Sequence, residues 1–219
     1  MSARLADRRL LVSAGPTFED IDPVRFIGNR SSGKMGFAIA AAAAKRGADV
    51  TLVAGPVHLA TPAGVRRIDV RSAAQMFDAV MTHLPFDVYI GAAAVADFTP
   101  RAVAVDKLKK AAGQDTLTLE LVRTRDILAK VAAHALRPRL VVGFAAETTD
   151  VEAHSRAKLE RKRVDLVCAN RVGVTGSGFE ADDNALLVIG HDGFRRALGP
   201  ASKTELAGWL LDLVAERLG

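Results

Sequence analysis

Cysteine is nearly absent from the 219-residue chain, which has a single one, Cys168. One thiol excludes an internal disulfide and a cysteine-based zinc site. Its neighbours, Leu166-Val167-Cys168-Ala169, are apolar, which favours a buried, inert thiol over a nucleophile. Aromatic residues are scarce at 5%, with one Trp and one Tyr. Few rings are left for base stacking, and the 30 basic residues are dispersed, so no nucleic-acid partner is expected despite a net charge of +5. His58, His83, His134, His154 and His191 show no metal-ligand spacing, and no catalytic triad is legible. No apolar run approaches the roughly 18 residues of a membrane span, and Met1 to Arg9 contains no signal-peptide core. A soluble, cytoplasmic protein with no membrane partner is expected.

The remaining composition is that of an ordinary globular chain, 49% hydrophobic and 25% charged. No linker-like stretch divides it, so residues 1–219 read as a single domain. Arg9 to Ala14, Asp49 to Ala54, Val65 to Val70, Asp87 to Ala94, Arg139 to Ala145 and Asp165 to Ala169 read as strands. Helices are expected over Gly33 to Arg46, from a Ser72 cap to His83, over Asp126 to Leu136, Val151 to Arg163 and Ser202 to Leu218. Leu186 to Ile189 and Phe194 to Leu198, joined at Asp192-Gly193, read as an edge hairpin. This alternation predicts an α/β, Rossmann-like, three-layer fold with a mostly parallel sheet. Phe98 to Val122 breaks the pattern and reads as an extended arm. The segment from Ala14 to Ser32 is expected to be irregular.

Several short segments carry chemistry. Gly28-x4-Gly33-Lys34 has most of a phosphate-loop pattern, but Met35 stands where a magnesium-binding hydroxyl belongs, and the segment does not directly follow its strand. A Gly/Ser-rich entry to a helix still favours an anion. Ala14-Gly15-Pro16-Thr17 is not a dinucleotide fingerprint. Gly91 to Asp97 lies at the carboxyl end of a strand, where open parallel sheets bind ligands; Asp97 suits a ribose hydroxyl, a metal or a helix N-cap. Lys107-Leu108-Lys109-Lys110 is either a solvated loop or a source of charge for an α-phosphate. Phe144 follows another strand, and Lys158 and Lys162 share a helix face.

Taken together, Ser13-Ala14-Gly15-Pro16-Thr17, Asp22-Pro23-Val24-Arg25-Phe26-Ile27, Asn29-Arg30-Ser31-Ser32-Gly33-Lys34-Met35-Gly36, Ala92 to Phe98, Lys107 to Lys110, Gly143 to Thr148 and Asp183-Asn184 resemble the phosphopantothenate–cysteine ligases. These form the second activity of a bacterial bifunctional coenzyme A flavoprotein. The resemblance implies a ligase using CTP with Mg²⁺. The carboxylate of 4′-phosphopantothenate attacks the α-phosphate and expels pyrophosphate, then the amine of L-cysteine displaces CMP from the acyl-cytidylate.

Carried over by position, the resemblance implies that Asn29 and Lys107 are catalytic. Gly91, Ala92, Ala93, Asp97, Lys107, Arg125, Asp126, Ile127, Leu128, Phe144, Lys158 and Lys162 would surround CTP. Asn29, Ser31, Ser32, Gly33 and Ala94 would meet the phosphopantothenoyl side, and the metal ligands stay unassigned. It also implies a homodimer in which the arm, roughly 98–122, crosses the interface. One departure is Arg125 before Asp126-Ile127, where the family usually has proline. The family commonly carries a flavin-dependent decarboxylase domain ahead of this one, and both a stand-alone ligase and half of a fusion fit the sequence.

Overall fold

A computed structural model describes residues 5–110, 115–147, 149–171 and 183–219. Met1 to Arg4, residues 111–114 of the expected arm and Thr148 of the Gly143 motif lie outside these. In chain order the elements are β1 (Arg9–Ala14), β2 (Phe18–Asp20), β3 (Phe26–Gly28), α1 (Lys34–Lys45), β4 (Asp49–Ala54), β5 (Val65–Asp69), α2 (Ala73–Thr82) and β6 (Val88–Gly91). They continue with β7 (Phe98–Pro100), β8 (Leu121–Arg123), α3 (Ile127–Ala132), β9 (Leu140–Glu147), α4 (Val151–Lys162), β10 (Leu166–Arg171), β11 (Asp183–Gly190), β12 (Arg195–Ser202) and α5 (Lys203–Leu218).

The main sheet has eight strands in the order β12-β11-β10-β9-β6-β1-β4-β5. Its six central and far-edge strands run parallel, and β11 and β12 add an antiparallel hairpin at the other edge. Counted along the chain, the parallel strands take the doubly wound order, which reverses between β1 and β6. The inner parallel strands are apolar on both faces because helices cover both, whereas the edge strand β5, Val-Arg-Arg-Ile-Asp, stays partly exposed. Leu10 and Val12 of β1 face Phe37 and Ile39 of α1 and Leu210 and Val214 of α5. Leu11 points the other way, toward Met76 and Val80 of α2, Val131 of α3 and Leu159 of α4. Cys168 is fully buried on the α1–α5 side, and burial pushes its thiol up, as its apolar neighbours lead one to expect.

The alanine-rich α1 lies close on β1. A Cβ added at Gly36 would sit 2.5 Å from the Ala14 Cβ, so glycine sets that approach. Gly33 caps the helix at φ 74°, in the left-handed region.

Four expectations are corrected by the fold. The segment expected to be irregular contains the β2–β3 hairpin, where Phe18 and Phe26 stack at 3.9 Å. The buried Glu19 carboxylate accepts the Ala73 amide hydrogen at 2.8 Å, pinning the hairpin to the start of α2. Strands of three residues, Phe18-Glu19-Asp20 and Phe26-Ile27-Gly28, are too short to show a period. β6 stops at Gly91 rather than Ala94, where the Ala92 amide also bonds back to the Ile90 carbonyl at 3.2 Å in a tight turn; beyond it a single parallel bridge joins Ala94 to Pro16. α3 ends at Ala132, short of Leu136: the His134 ring accepts the Leu136 amide hydrogen at 3.0 Å, and Pro138 disfavours helix at Arg137. Among the described residues of the arm, strand pairing is confined to Phe98 to Pro100 against Leu121 to Arg123. The alternating residues from Thr116 to Glu120 join no strand.

Candidate active site

A cavity of about 580 Å³ opens at the carboxyl ends of β1, β6 and β9, where the strand order reverses. Ser13 and Tyr89 form its floor, with Gly91 beside them. The Tyr89 hydroxyl and the Ser13 Oγ are 3.0 Å apart, and complete burial pushes the phenol up to about 12, so it stays protonated. Gly91 and Gly143 are register partners on neighbouring strands, and Leu128 from the first turn of α3 fills the notch they leave. A Cβ at Gly143 would lie 2.6 Å from Leu128 Cδ2.

One wall is the turn after β6. Thr124 supports it by donating its hydroxyl to the Ala96 carbonyl at 2.7 Å and its amide to the Asp97 carbonyl at 3.0 Å. Asp97 faces the cavity and is followed by β7 rather than a helix, so the N-cap alternative is set aside. The residue that does cap a helix here is Asp126. It accepts the Ala129 amide hydrogen at 3.1 Å through Oδ1 and pairs with Lys162 through Oδ2. Partial burial opposes its ionisation, but the Lys162 and Ala129 hydrogen bonds, with the charges of Lys162 and Lys158, outweigh that and lower its pKa.

The opposite wall is the face of α4 carrying Lys158, Arg161 and Lys162. Lys158 donates its ammonium to the Phe144 carbonyl at 2.6 Å. Burial and then the like charges of Lys162 and Arg161 lower its proton affinity, against Glu147 and Asp126. Arg125 turns its guanidinium away, 3.8 Å over the Phe77 ring and 2.7 Å from an Asp78 oxygen. The Arg125 charge is thereby tied to α2.

The structure thus brings Gly91, Ala93, Asp97, Arg125, Asp126, Ile127, Leu128, Phe144, Lys158 and Lys162 around one cavity. Ala92 and Ala94 lie in the same turn without lining it. Asn29, just after β3, donates its side-chain amide to the Ala94 carbonyl at 3.0 Å, so it meets the back of that turn. Ser31 accepts the Gly33 amide hydrogen at 3.4 Å, and Ser31, Ser32 and Gly33 lie beside Asn29 at the entry to α1. Lys107 does not line the cavity. It is exposed, and its neighbour Leu108 is gripped at both ends of its backbone. Leu108 donates to Asp22 at 3.1 Å, and its carbonyl accepts from Arg25 at 2.8 Å. Arg25 and the amides of Val24, Leu108 and Arg25 hold the Asp22 carboxyl well below its usual range, against its burial.

Sequence reasoning gave no site role to Ser13, although it opens one of the resembling motifs, and missed Tyr89, Arg123, Thr124 and Arg161. Only Arg161 left a usable signal, standing three residues after Lys158 on the same helix face. Among the described residues no group of three His, Cys, Asp or Glu side chains converges on a metal position. The carboxylates at the cavity are Asp97 and Asp126, and Asp126 is already engaged.

The model of the DNA/pantothenate metabolism flavoprotein C-terminal domain matches residues 5–218. The coenzyme A biosynthesis bifunctional protein CoaBC of Vibrio cholerae serotype O1 is 51% identical over 215 residues, covering 98% of this chain and 54% of that protein. The chain therefore spans about half the length of the curated relatives it matches. Among solved structures, the C-terminal domain of a CoaBC bifunctional protein superposes with a TM-score of 0.83 at 39% identity, covering 99% of this chain and 98% of that one. A Cab2 variant in complex with phosphopantothenate-cysteine shares the fold, with a TM-score of 0.75 at 16% identity over 96% of this chain and 86% of its own. No helix among the described residues is long and apolar enough to cross a membrane.

Proposed function

The chain belongs to the DNA/pantothenate metabolism flavoprotein C-terminal domain family, and from that premise we propose that it is a ligase of coenzyme A biosynthesis. It joins 4′-phosphopantothenate to L-cysteine and consumes CTP. The observation that carries this reading is the cation-lined cavity at the strand-order reversal, with the Asn29–Ala94 contact on the far side of the same turn. Activation as an acyl-cytidylate needs the substrate carboxylate in contact with the α-phosphorus, so the nucleotide and the acyl substrate must meet across the edge of this small-residue turn, which both the cavity and Asn29 border.

In the first step a substrate carboxylate oxygen forms a bond to the α-phosphorus. The bond from that phosphorus to the bridging oxygen breaks, and pyrophosphate leaves with the electron pair. In the second, the cysteine amine attacks the acyl carbon, CMP departs with the acyl–oxygen electrons, and the amine proton is lost. Lys158 and Lys162 stabilise phosphate charge, Phe144 and Leu128 border the base, and Asp97 is available to ribose or metal. Asn29 orients the acyl group toward the amine. Mg²⁺ enters with CTP as substrate. An ion held mainly by phosphate oxygens and water needs few protein carboxylates, which suits a cavity offering Asp97 and an already paired Asp126.

Lys107 stands outside the cavity of its own chain. Its assignment to the α-phosphate therefore rests on a cytoplasmic homodimer whose arm carries it to the partner's cavity. Val103 and Val105, 55% and 90% exposed on that arm, support such an interface.

Pyrophosphate release should require both CTP and 4′-phosphopantothenate, and CMP should appear only after cysteine is added. Protein that releases no CMP with any nucleotide would end this reading. Asn29→Asp should still release pyrophosphate while acyl-cytidylate accumulates, detectable by rapid quench and chromatography; normal turnover would remove Asn29 from its role.

A further inference from the structure

Most cations facing the cavity are already committed. Lys158 is bonded to the Phe144 carbonyl, Lys162 is paired with Asp126, and Arg125 is held by Asp78 and Phe77. Two are not. Arg123, at the end of β8, and Arg161, on α4, line opposite walls of the same cavity, and among the described residues neither guanidinium has a hydrogen bond or ion pair. Both are exposed, whereas Lys158 and Lys162 are half-buried, so the arginines stand nearer the mouth. Of the cavity's two carboxylates, Asp126 is already taken up by Lys162, so the mouth keeps a positive surplus.

A guanidinium with all its donors free is matched to a bidentate phosphate partner. In a nucleoside triphosphate the β- and γ-phosphates carry most of the charge and the most unbridged oxygens. The leaving pyrophosphate must also exit through the mouth. We infer that Arg123 and Arg161 form a pyrophosphate seat, gripping the β- and γ-phosphates before the attack and the departing pyrophosphate after it. This inference rests on the proposed nucleotide-dependent activation at the same cavity.

The test compares Arg123→Gln and Arg161→Gln with the unaltered chain by calorimetric titration of CTP, of CMP and of inorganic pyrophosphate. Each substitution removes charge-assisted hydrogen bonds to the terminal phosphates. CTP and pyrophosphate affinity should each fall about tenfold, while CMP affinity stays within about twofold. CMP binding doubles as the check that the variants are folded. Arg161→Lys, which keeps the charge without the fork, should recover part of the loss. Variants that keep the unaltered ratio of CTP to CMP affinity would overturn the seat while leaving the nucleotide site standing. An equal loss of CTP and CMP would mean that the arginines only shape the wall, which also overturns it. Failure of the unaltered chain to bind any cytidine nucleotide would defeat both the seat and the reading beneath it.

Discussion

The Asp126 carboxylate holds the first turn of α3 through the Ala129 amide and the Lys162 ammonium of α4 through its other oxygen. Replacing it with alanine removes an N-cap, which costs about 1 kcal/mol. Loss of the half-exposed ion pair adds less than about 1 kcal/mol after solvent screening. The sign of the pH dependence follows from the lowered pKa of Asp126 in the folded chain. The stability it contributes is present in full above its unfolded value, near the ordinary 3.8, and is lost as pH falls through the lower folded value. Urea midpoints of the unaltered chain and Asp126→Ala should therefore differ by a constant amount from about pH 5 to 8 and converge in stronger acid. A gap that widened in acid would contradict the assignment. This residue was legible as a helix start because Asp before an apolar turn is a local signal, whereas its pairing with Lys162 spans a distance no local pattern encodes.

Two glycines show how elements set the site. At Gly143 an added Cβ would meet Leu128 Cδ2 at 2.6 Å, the far end of a flexible side chain. Gly143→Ala should cost less than about 1.5 kcal/mol in stability but push Leu128 into the cavity, raising the KM for nucleotide more than it changes kcat. At Gly36 the obstacle is the Ala14 Cβ at 2.5 Å, with the β1 backbone just behind it. Gly36→Ala must therefore move the helix, and a loss of about 1–3 kcal/mol is expected in thermal or urea unfolding. Similar stability losses at both positions would mean that Leu128 is as rigid as β1. The apolar strands could be read along the chain because each is a continuous buried run. The β2–β3 hairpin could not, since its stacked Phe18 and Phe26 and its Glu19 tie to α2 are contacts between short, unlike segments.

For the whole molecule, the exposed side chains of Val103, Val105 and Leu117 lie on a segment that leaves the β7–β8 pair and is held at Ala104 and Leu108 by Ile21, Asp22 and Arg25. If the arm closes a homodimer, Val105→Asp should shift sedimentation toward monomer. Ligase activity should fall with it, because Lys107 would no longer reach a cavity. An active monomer would separate Lys107 from the partner's site and require it to reach its own.

Near neighbours along the chain were enough to specify the parallel-strand runs, the Ser72 cap, the helix start at Asp126, the edge hairpin at Asp192-Gly193 and the buried Cys168. The motifs also resembled the family to which the chain proved to belong. Only the tertiary structure decided the rest. It put Ser13 and Tyr89, 76 positions apart, at hydrogen-bond distance on one floor. It turned Arg125 away onto Phe77 and Asp78, left Arg123 and Arg161 without partners among the described residues, and kept Lys107 outside the cavity. Those outcomes depend on the order in which strands assemble and on which charges find partners across the sheet. Such long-range contacts leave no period or spacing in the chain.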